Sequence, residues 1–145
     1  MLKEKLREFE RGAVVDDCVR VLEEEVASKK GLSGFAVKGA FKVIGAVKPG
    51  FIRAVVSGLL DEFVAELEPF YAEWVERDIG DFGAHINRRP VPVANALLGV
   101  TDKRAERTVH QTAKKAYMKL RPSAVDHVTA ALPRVGNLMN RYIED

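Results

Sequence analysis

The sequence has few of the features that mark secreted, disulfide-bonded or metal-binding proteins. Its 145 residues include a single cysteine, Cys18, so an internal disulfide and a cysteine-rich zinc site are excluded. Cys18 falls in an apolar row at helical spacing, and we interpret it as a small buried hydrophobic residue. The N-terminal segment MLKEKLREFERG is charged throughout and has no apolar signal core. We therefore expect a protein of the reducing cytoplasm.

Catalytic and cofactor-binding motifs are also missing. The glycines between Gly31 and Gly50 match neither the dinucleotide-binding pattern nor the Walker pattern. The three histidines are scattered without metal-ligand spacing, and the DFG at Asp81–Gly83 stands without the other kinase motifs. We expect a protein that is not an enzyme, holds no cofactor or metal, and has no identifiable small-molecule substrate.

Acidic residues are missing from one segment, and the other charges are unevenly distributed, although the net charge is only +2. Residues 31–60 contain four basic residues and no acidic residue, whereas residues 61–82 contain eight acidic residues and one basic residue. Residues 102–121 contain seven basic residues and two acidic residues. Such blocks can neutralise one another within a fold or attract a charged partner.

No segment shows the alternation of a β-strand, and apolar residues instead recur at helical spacing. Paired apolar positions every four residues predict a long helix from Phe51 to about Val75, with Pro69 as a kink or restart. Shorter helices are predicted over 15–26, 93–98, 102–121 and 125–142. The segment RDIGDFGAHINRRPVP at 77–92 is predicted to be a loop, with one helical turn as the alternative. The prediction is one all-α domain, residues 1–145, built as a bundle of about six helices.

The segment GLSGFAVKGAFKVIGAVKPGFI is apolar nearly all round and too long for a buried strand. We predict a helix over Phe35–Val47 that is almost completely surrounded by protein. Lys38 and Lys42 would lie on one narrow solvent-exposed strip of this helix. Gly39 or Gly45 would allow another helix to approach closely. The recurrent lysines and the Pro-Gly pair exclude a membrane span.

A weak internal repeat is visible around two basic-Pro pairs. Lys48-Pro49 and Arg121-Pro122 each follow a small-plus-aromatic pair and precede apolar residues at matching spacing. A true duplication predicts two helix–Pro–helix hairpins related by a pseudo-twofold axis.

Four strings in the sequence carry a resemblance to a known family. They are SGFAVKGAFKVIGAVKPGFI, LLDEFVAELEPFYAEW, LLGVTDKRAE and HVTAALP, and they span the chain from about Leu32 to Leu138. Together they resemble a family of short bacterial proteins of unknown function. The resemblance implies a bacterial, cytoplasmic helical domain, and it carries over no catalytic or binding residue.

Three functions stay open. The leading one is protein–protein interaction or self-association, because the stripe from Phe51 to Val75 offers more apolar surface than a small bundle covers. The alternative is peripheral binding to acidic lipid through the basic-apolar region 31–60. The basic residues that would touch such a membrane are Lys38, Lys42, Lys48 and Arg53.

The third function is weak nucleic-acid binding, which the modest net charge makes the least expected partner. A helix over 102–121 would present its basic side chains away from the core. The candidate phosphate contacts on it are Lys103, Arg104, Arg107, Lys114, Lys115 and Lys119. Arg88 and Arg89, beside His85 on the predicted loop, form a further candidate site for a small anion.

Overall fold

The computed structural model describes residues 1–77 and 79–143; Asp78, Glu144 and Asp145 lie outside the described residues. The described residues form seven α-helices and no β-strand, which confirms the predicted all-α fold. The helices are α1 (Leu2–Arg7), α2 (Arg11–Ser28), α3 (Gly31–Gly45), α4 (Phe51–Arg77), α5 (Phe82–Asn87), α6 (Pro90–Arg107) and α7 (Gln111–Ile143).

Six of the helices share one hydrophobic core. Its most deeply buried side chains come from α1, α2, α5, α6 and α7, and α4 adds a row that includes Leu60 and Leu67. The fully buried members are Leu2, Val14, Val15, Phe82, Ile86, Val93 and Leu132. No residue of α3 belongs to this cluster, which places α3 at the edge of the bundle.

The helix α7 is the long rod on which the other helices pack. It runs for 33 residues, through Pro122 and Pro133, and contacts α3, α5, α6, α2 and α1. A proline removes one helical hydrogen bond, but packing along most of the length of α7 outweighs that local loss. The predicted break at Arg121-Pro122 is therefore wrong, and the second helix–Pro–helix hairpin of the proposed repeat does not form.

The first hairpin does form, because α3 and α4 are joined by a short turn at Pro49. Gly50 has a φ of 72° there, a conformation in the left-handed region that favours glycine. Beyond the turn, α4 continues for 27 residues through Pro69 without ending. It buries Phe51, Leu59 and Tyr71. The predicted apolar stripe of α4 is therefore mostly covered by the other helices and is not exposed for a partner.

The predicted loop at 77–92 contains the short helix α5, whose two apolar side chains enter the core. Asp81 begins it by accepting a hydrogen bond from the backbone N–H of Ala84 at 2.7 Å. Phe82 and Ile86 are fully buried four residues apart. The glycines and prolines of this segment predicted the turns around α5 but not the burial of α5 itself.

The predicted helix over 102–121 is two helices. α6 ends at Arg107, and Thr108 turns the chain by accepting a hydrogen bond from the backbone N–H of His110 at 3.2 Å. Val109, an apolar residue within the predicted helix, is 82% exposed in this turn. At its other end α6 begins at Pro90 and includes the predicted short helix over 93–98. Thr101 lies inside α6, where its hydroxyl donates a hydrogen bond to the carbonyl of Leu98.

Candidate functional site

The helix α3 is the element whose surface differs most from that of the other helices. Only Gly34 and Val37 of its fifteen residues are buried. Leu32 is 92% exposed, Phe35 79% and Val43 40%. The prediction of a helix almost completely surrounded by protein is therefore wrong, because α3 has one apolar face against the bundle and a second apolar face in water.

The exposed apolar residues of α3 lie on one side of the helix. Leu32, Phe35, Gly39 and Val43 are separated by three or four residues, so these positions share one side of α3, and Ala36 is exposed between them. We call this set of five residues the outer face of α3. Lys38 and Lys42 are exposed along its border.

A polar cluster on α2 and α7 holds the beginning of α3 in place. Lys29 donates to Glu25 at 3.0 Å and to the carbonyl oxygen of His127 at 3.2 Å, and Arg134 bonds the other oxygen of Glu25 at 2.9 Å. Ser33 of α3 lies 2.8 Å from His127 Nε2. Burial, followed by the nearby charge of Lys29, lowers the pKa of His127. These contacts tie the α2–α3 turn to the side of α7.

The turn also depends on a glycine. A Cβ placed on Gly34 would lie 2.6 Å from the backbone carbon of Lys29, so the chain can fold back this tightly only without a side chain there. The expected close approach at Gly39 or Gly45 is not observed. No atom lies within 4 Å of a Cβ built on Gly39, and the Cβ of Gly45 would meet Ile52 at an ordinary 3.6 Å.

The four basic residues predicted to contact a membrane do not share one environment. Lys38, Lys42 and Lys48 are exposed and form no ion pair within the described residues. Arg53 lies on α4 and pairs with Asp16 at 2.9 Å, which neutralises it within the fold. The structure thus leaves three unneutralised cations on or beside α3.

The six basic residues predicted for nucleic-acid contact are divided between two helices. Lys103, Arg104 and Arg107 end α6, whereas Lys114, Lys115 and Lys119 lie on α7 after the turn. Arg107 also approaches Glu62 of α4 at 4.0 Å. The continuous basic helix face on which the nucleic-acid hypothesis depended is therefore not present.

The arginines of the candidate small-anion site are engaged inside the molecule. Arg88 donates to the carbonyl of Ile79 at 3.1 Å, and Arg89 forms an ion pair with Glu73. His85 is 97% buried, with its Nε2 3.0 Å from the same carboxylate of Glu73. The hydrogen bond from Arg89 is the main cause that lowers the pKa of Glu73. This cluster joins α4, α5 and α6.

A third polar cluster joins α6 to α7. Asp102 accepts hydrogen bonds from Arg121 at 2.9 Å and from the Tyr117 hydroxyl at 2.5 Å, and that hydroxyl lies 2.7 Å from Thr101 Oγ1. Burial by itself raises the pKa of Asp102, but the bonds from Arg121 and Tyr117 outweigh it and lower the pKa. Burial and the bond to Asp102 raise the pKa of Tyr117 to about 12. The cluster is structural, since its donors and acceptors satisfy one another.

The described residues offer neither a membrane-spanning helix nor a cluster of metal ligands. No helix among them is both long enough and apolar enough to cross a bilayer. Within the same ranges, 1–77 and 79–143, no three His, Cys, Asp or Glu side chains are grouped so that they could hold a metal ion.

Sequence reasoning identified the lysines of α3 but missed Leu32, Phe35 and Val43 as surface residues. The periodicity of α3 is uninformative because both of its faces are apolar, so it cannot say which face meets the core. No signal in the sequence itself separates the two apolar faces.

Fold and surface together define a class: a single all-helical domain that exposes one short cationic, apolar helix. The chain belongs to a family of unknown function (DUF6918), whose family model matches residues 2–143. The resemblance of the sequence strings to a family of unknown function is confirmed, and the match extends beyond the predicted limits of 32 and 138. Comparison with curated proteins and with solved structures found no match.

Proposed function

We propose that the protein binds peripherally to anionic membranes by laying the outer face of α3 into the lipid head-group region. The observation that carries the proposal is the exposure of Leu32 and Phe35 on a helix whose only charges are positive. An interfacial helix of this kind buries apolar side chains about 5–10 Å into the lipid boundary while its lysines meet anionic head groups.

The apolar part of the attraction comes mainly from two side chains. Leu32 is 92% exposed and Phe35 79% exposed, so nearly the whole of each becomes available for burial in lipid. Full burial of a leucine or phenylalanine contributes about 1.5–3 kcal/mol. Both residues lie in the first turns of α3, where Ser33 and Gly34 attach the helix to the bundle.

The charged part of the attraction comes from the three unneutralised lysines. A lysine near an anionic leaflet contributes about 1 kcal/mol, and this contribution falls as salt screens it. No acidic residue occurs between 31 and 60 to oppose Lys38, Lys42 and Lys48. The cytoplasmic and bacterial setting expected from the sequence belongs to this proposal, since the inner leaflet of a membrane is the anionic one.

A lipid surface fits the outer face of α3 better than a second copy of the chain does. Fifteen residues of helix are about 22 Å long and about 10 Å wide, a footprint of roughly 220 Å². A stable dimer needs about 800 Å² from each partner. Two copies packed through α3 would also bring lysines together, whereas anionic lipid neutralises them.

Sedimentation with vesicles tests the proposal. The wild-type chain should sediment with vesicles that contain the anionic lipid phosphatidylglycerol together with phosphatidylcholine, and should stay free with vesicles of pure phosphatidylcholine. Leu32→Ser combined with Phe35→Ser should weaken partitioning about 100-fold, and Lys38→Gln combined with Lys42→Gln about 30-fold at low salt. Val109→Ser and Lys103→Gln remove an exposed apolar and an exposed basic residue elsewhere, and both should partition like the wild type.

Two results would contradict the proposal. Equal binding of the wild type to neutral and anionic vesicles would refute the role given to the lysines. No binding to either kind of vesicle would refute the whole proposal. A concentration-dependent dimer in analytical ultracentrifugation that Leu32→Ser with Phe35→Ser abolishes, without vesicle binding, would instead assign the outer face to self-association.

A further inference from the structure

A small cavity opens between the end of α3 and the helices α4, α6 and α7. Its volume is about 120 Å³. The apolar side chains that line it are Ile44, Phe51, Val55, Leu59, Ala105 and Ala113. It lies apart from Leu32 and Phe35, since Ile44 is at the other end of α3 and is partly covered by the bundle.

Two cations line the same cavity. Arg104 of α6 and Lys114 of α7 both line the cavity and are half-buried. Long basic side chains at such positions bury their apolar stems and keep their charged ends in water. Neither side chain forms an ion pair or a hydrogen bond within the described residues. A pair of basic residues beside an acid-free apolar wall is an arrangement that an anion would stabilise.

The remaining polar groups of the wall have partners of their own. The hydroxyls of Thr101 and Tyr117 lie 2.7 Å apart; Tyr117 donates to Asp102, and Thr101 donates to the carbonyl of Leu98. Thr108, the third polar side chain of the wall, accepts a hydrogen bond from the backbone N–H of His110 at 3.2 Å. The interior of the cavity therefore presents no unsatisfied hydrogen-bonding group. It suits an alkyl group rather than a sugar, a nucleobase or an ordered cluster of water.

We propose that this cavity binds the end of an alkyl chain whose anionic head group pairs with Arg104 and Lys114. An apolar cavity of about 150 Å³ holds a benzene-sized group, so 120 Å³ holds a chain end of roughly four carbons. The rest of a longer chain lies along the open side toward the two cations. A free fatty acid and a single membrane lipid share this chemistry. The inference is independent of the outer face of α3, and its test uses no membrane.

Octanoate below its micelle concentration is the probe for the free acid, and dihexanoyl phosphatidylglycerol below its micelle concentration is the probe for the lipid. Each is titrated into isotope-labelled protein and followed by two-dimensional amide and methyl NMR. We expect saturable shifts at Leu59, Ala105 and Ala113 with at least one probe. Octyltrimethylammonium, which has a chain of the same length and the opposite charge, should produce none.

Variants separate the chain from the head group. Ala113→Leu or Ala105→Leu fills the cavity and should abolish the saturable shifts while the far-ultraviolet spectrum stays helical; two positions are used so that one misfolded variant does not end the test. Arg104→Gln with Lys114→Gln should weaken binding about tenfold or more, because charge-assisted contacts are lost. Lys103→Gln, on α6 but outside the cavity lining, should leave binding unchanged.

Each outcome decides the proposal. Binding of octanoate alone supports a free-acid site, and binding of the phosphatidylglycerol alone or of both probes supports a site that also accepts lipid. Failure of both probes overturns the proposal, and so does undiminished binding in both cavity-filled variants. Equal binding of octyltrimethylammonium would overturn the assigned role of Arg104 and Lys114. Because vesicles are absent, these results do not depend on the outer face of α3.

Discussion

The helices α5 and α7 pack backbone against backbone at Gly83 and Gly136, and replacing Gly83 by alanine should disrupt this contact. A Cβ on Gly83 would lie 2.7 Å from the carbonyl oxygen of Gly136 and 2.8 Å from Asn140 Nδ2. The reciprocal Cβ on Gly136 would lie 2.9 Å from the Cα of Gly83. Backbone sits on both sides of the contact, so no flexible side chain can move aside to make room.

The size of the effect follows from the bonds around that contact. Gly83 N–H donates to Asn140 at 2.9 Å, and its carbonyl accepts from Asn87 at 2.8 Å. Relieving a 2.7 Å contact requires α5 to move by about 0.7 Å, which costs roughly 1–3 kcal/mol as overpacking and weakens both bonds. Alanine recovers about 0.5–1 kcal/mol of helix propensity. We expect Gly83→Ala to lower the free energy of unfolding by about 2 kcal/mol.

Urea unfolding followed by circular dichroism at 222 nm measures this change. The matched control is Gly99→Ala on α6, where no atom lies within 4 Å of the added Cβ. The same substitution should there raise the free energy of unfolding by about 0.5–1 kcal/mol, because only helix propensity changes. If Gly83→Ala proves as stable as Gly99→Ala, the α5–α7 contact is not close-packed and our account of the core fails.

Two further predictions concern titratable groups. Asp102→Asn should destabilise the fold at pH 7. Because the folded-state pKa of Asp102 lies below its usual value of about 4, the contribution of its carboxylate is present above that pH and is lost as pH falls below it. Chemical unfolding at pH 7 and pH 3 should show the gap between Asp102→Asn and wild type closing, and a constant gap would refute the role given to Arg121. Burial, followed by the charge of Asp17, raises the pKa of Cys18 to about 11. A maleimide at pH 7.5 should therefore modify the native protein at least about 100-fold more slowly than the urea-unfolded chain, and equal rates would contradict the burial of this thiol.

The helices that the sequence predicted correctly are those in which the apolar residues at helical spacing are also the residues that the core buries. The paired apolar positions after Phe51 identified α4, because one broad stripe of that helix meets the core and the other side is acidic. The break before α4 was also predictable, because Pro49 and Gly50 both oppose helix continuation. In these segments local preference and tertiary packing favour the same structure.

The errors arise where packing outweighs local preference. Pro122 was read as a helix break, yet α7 continues through it because several helices pack along its length. Phe82 and Ile86 lie in the predicted loop, and their burial was not predicted, because a six-residue helix between glycines and prolines has too few positions to show a periodicity. In α3 the two faces are equally apolar, and only the positions of the other six helices decide which face is buried.

Fold stability and the proposed membrane contact depend on different parts of the chain, so they can be separated by mutation. Leu32 and Phe35 are already in water in the folded protein, and replacing them with serine removes little or no core packing. Gly83→Ala acts on a contact that includes no residue of α3. If the outer face of α3 served only to complete the fold, its serine variants would lose stability together with vesicle binding. If it is a lipid-binding surface, they lose vesicle binding alone, while the folded fraction of Gly83→Ala still binds.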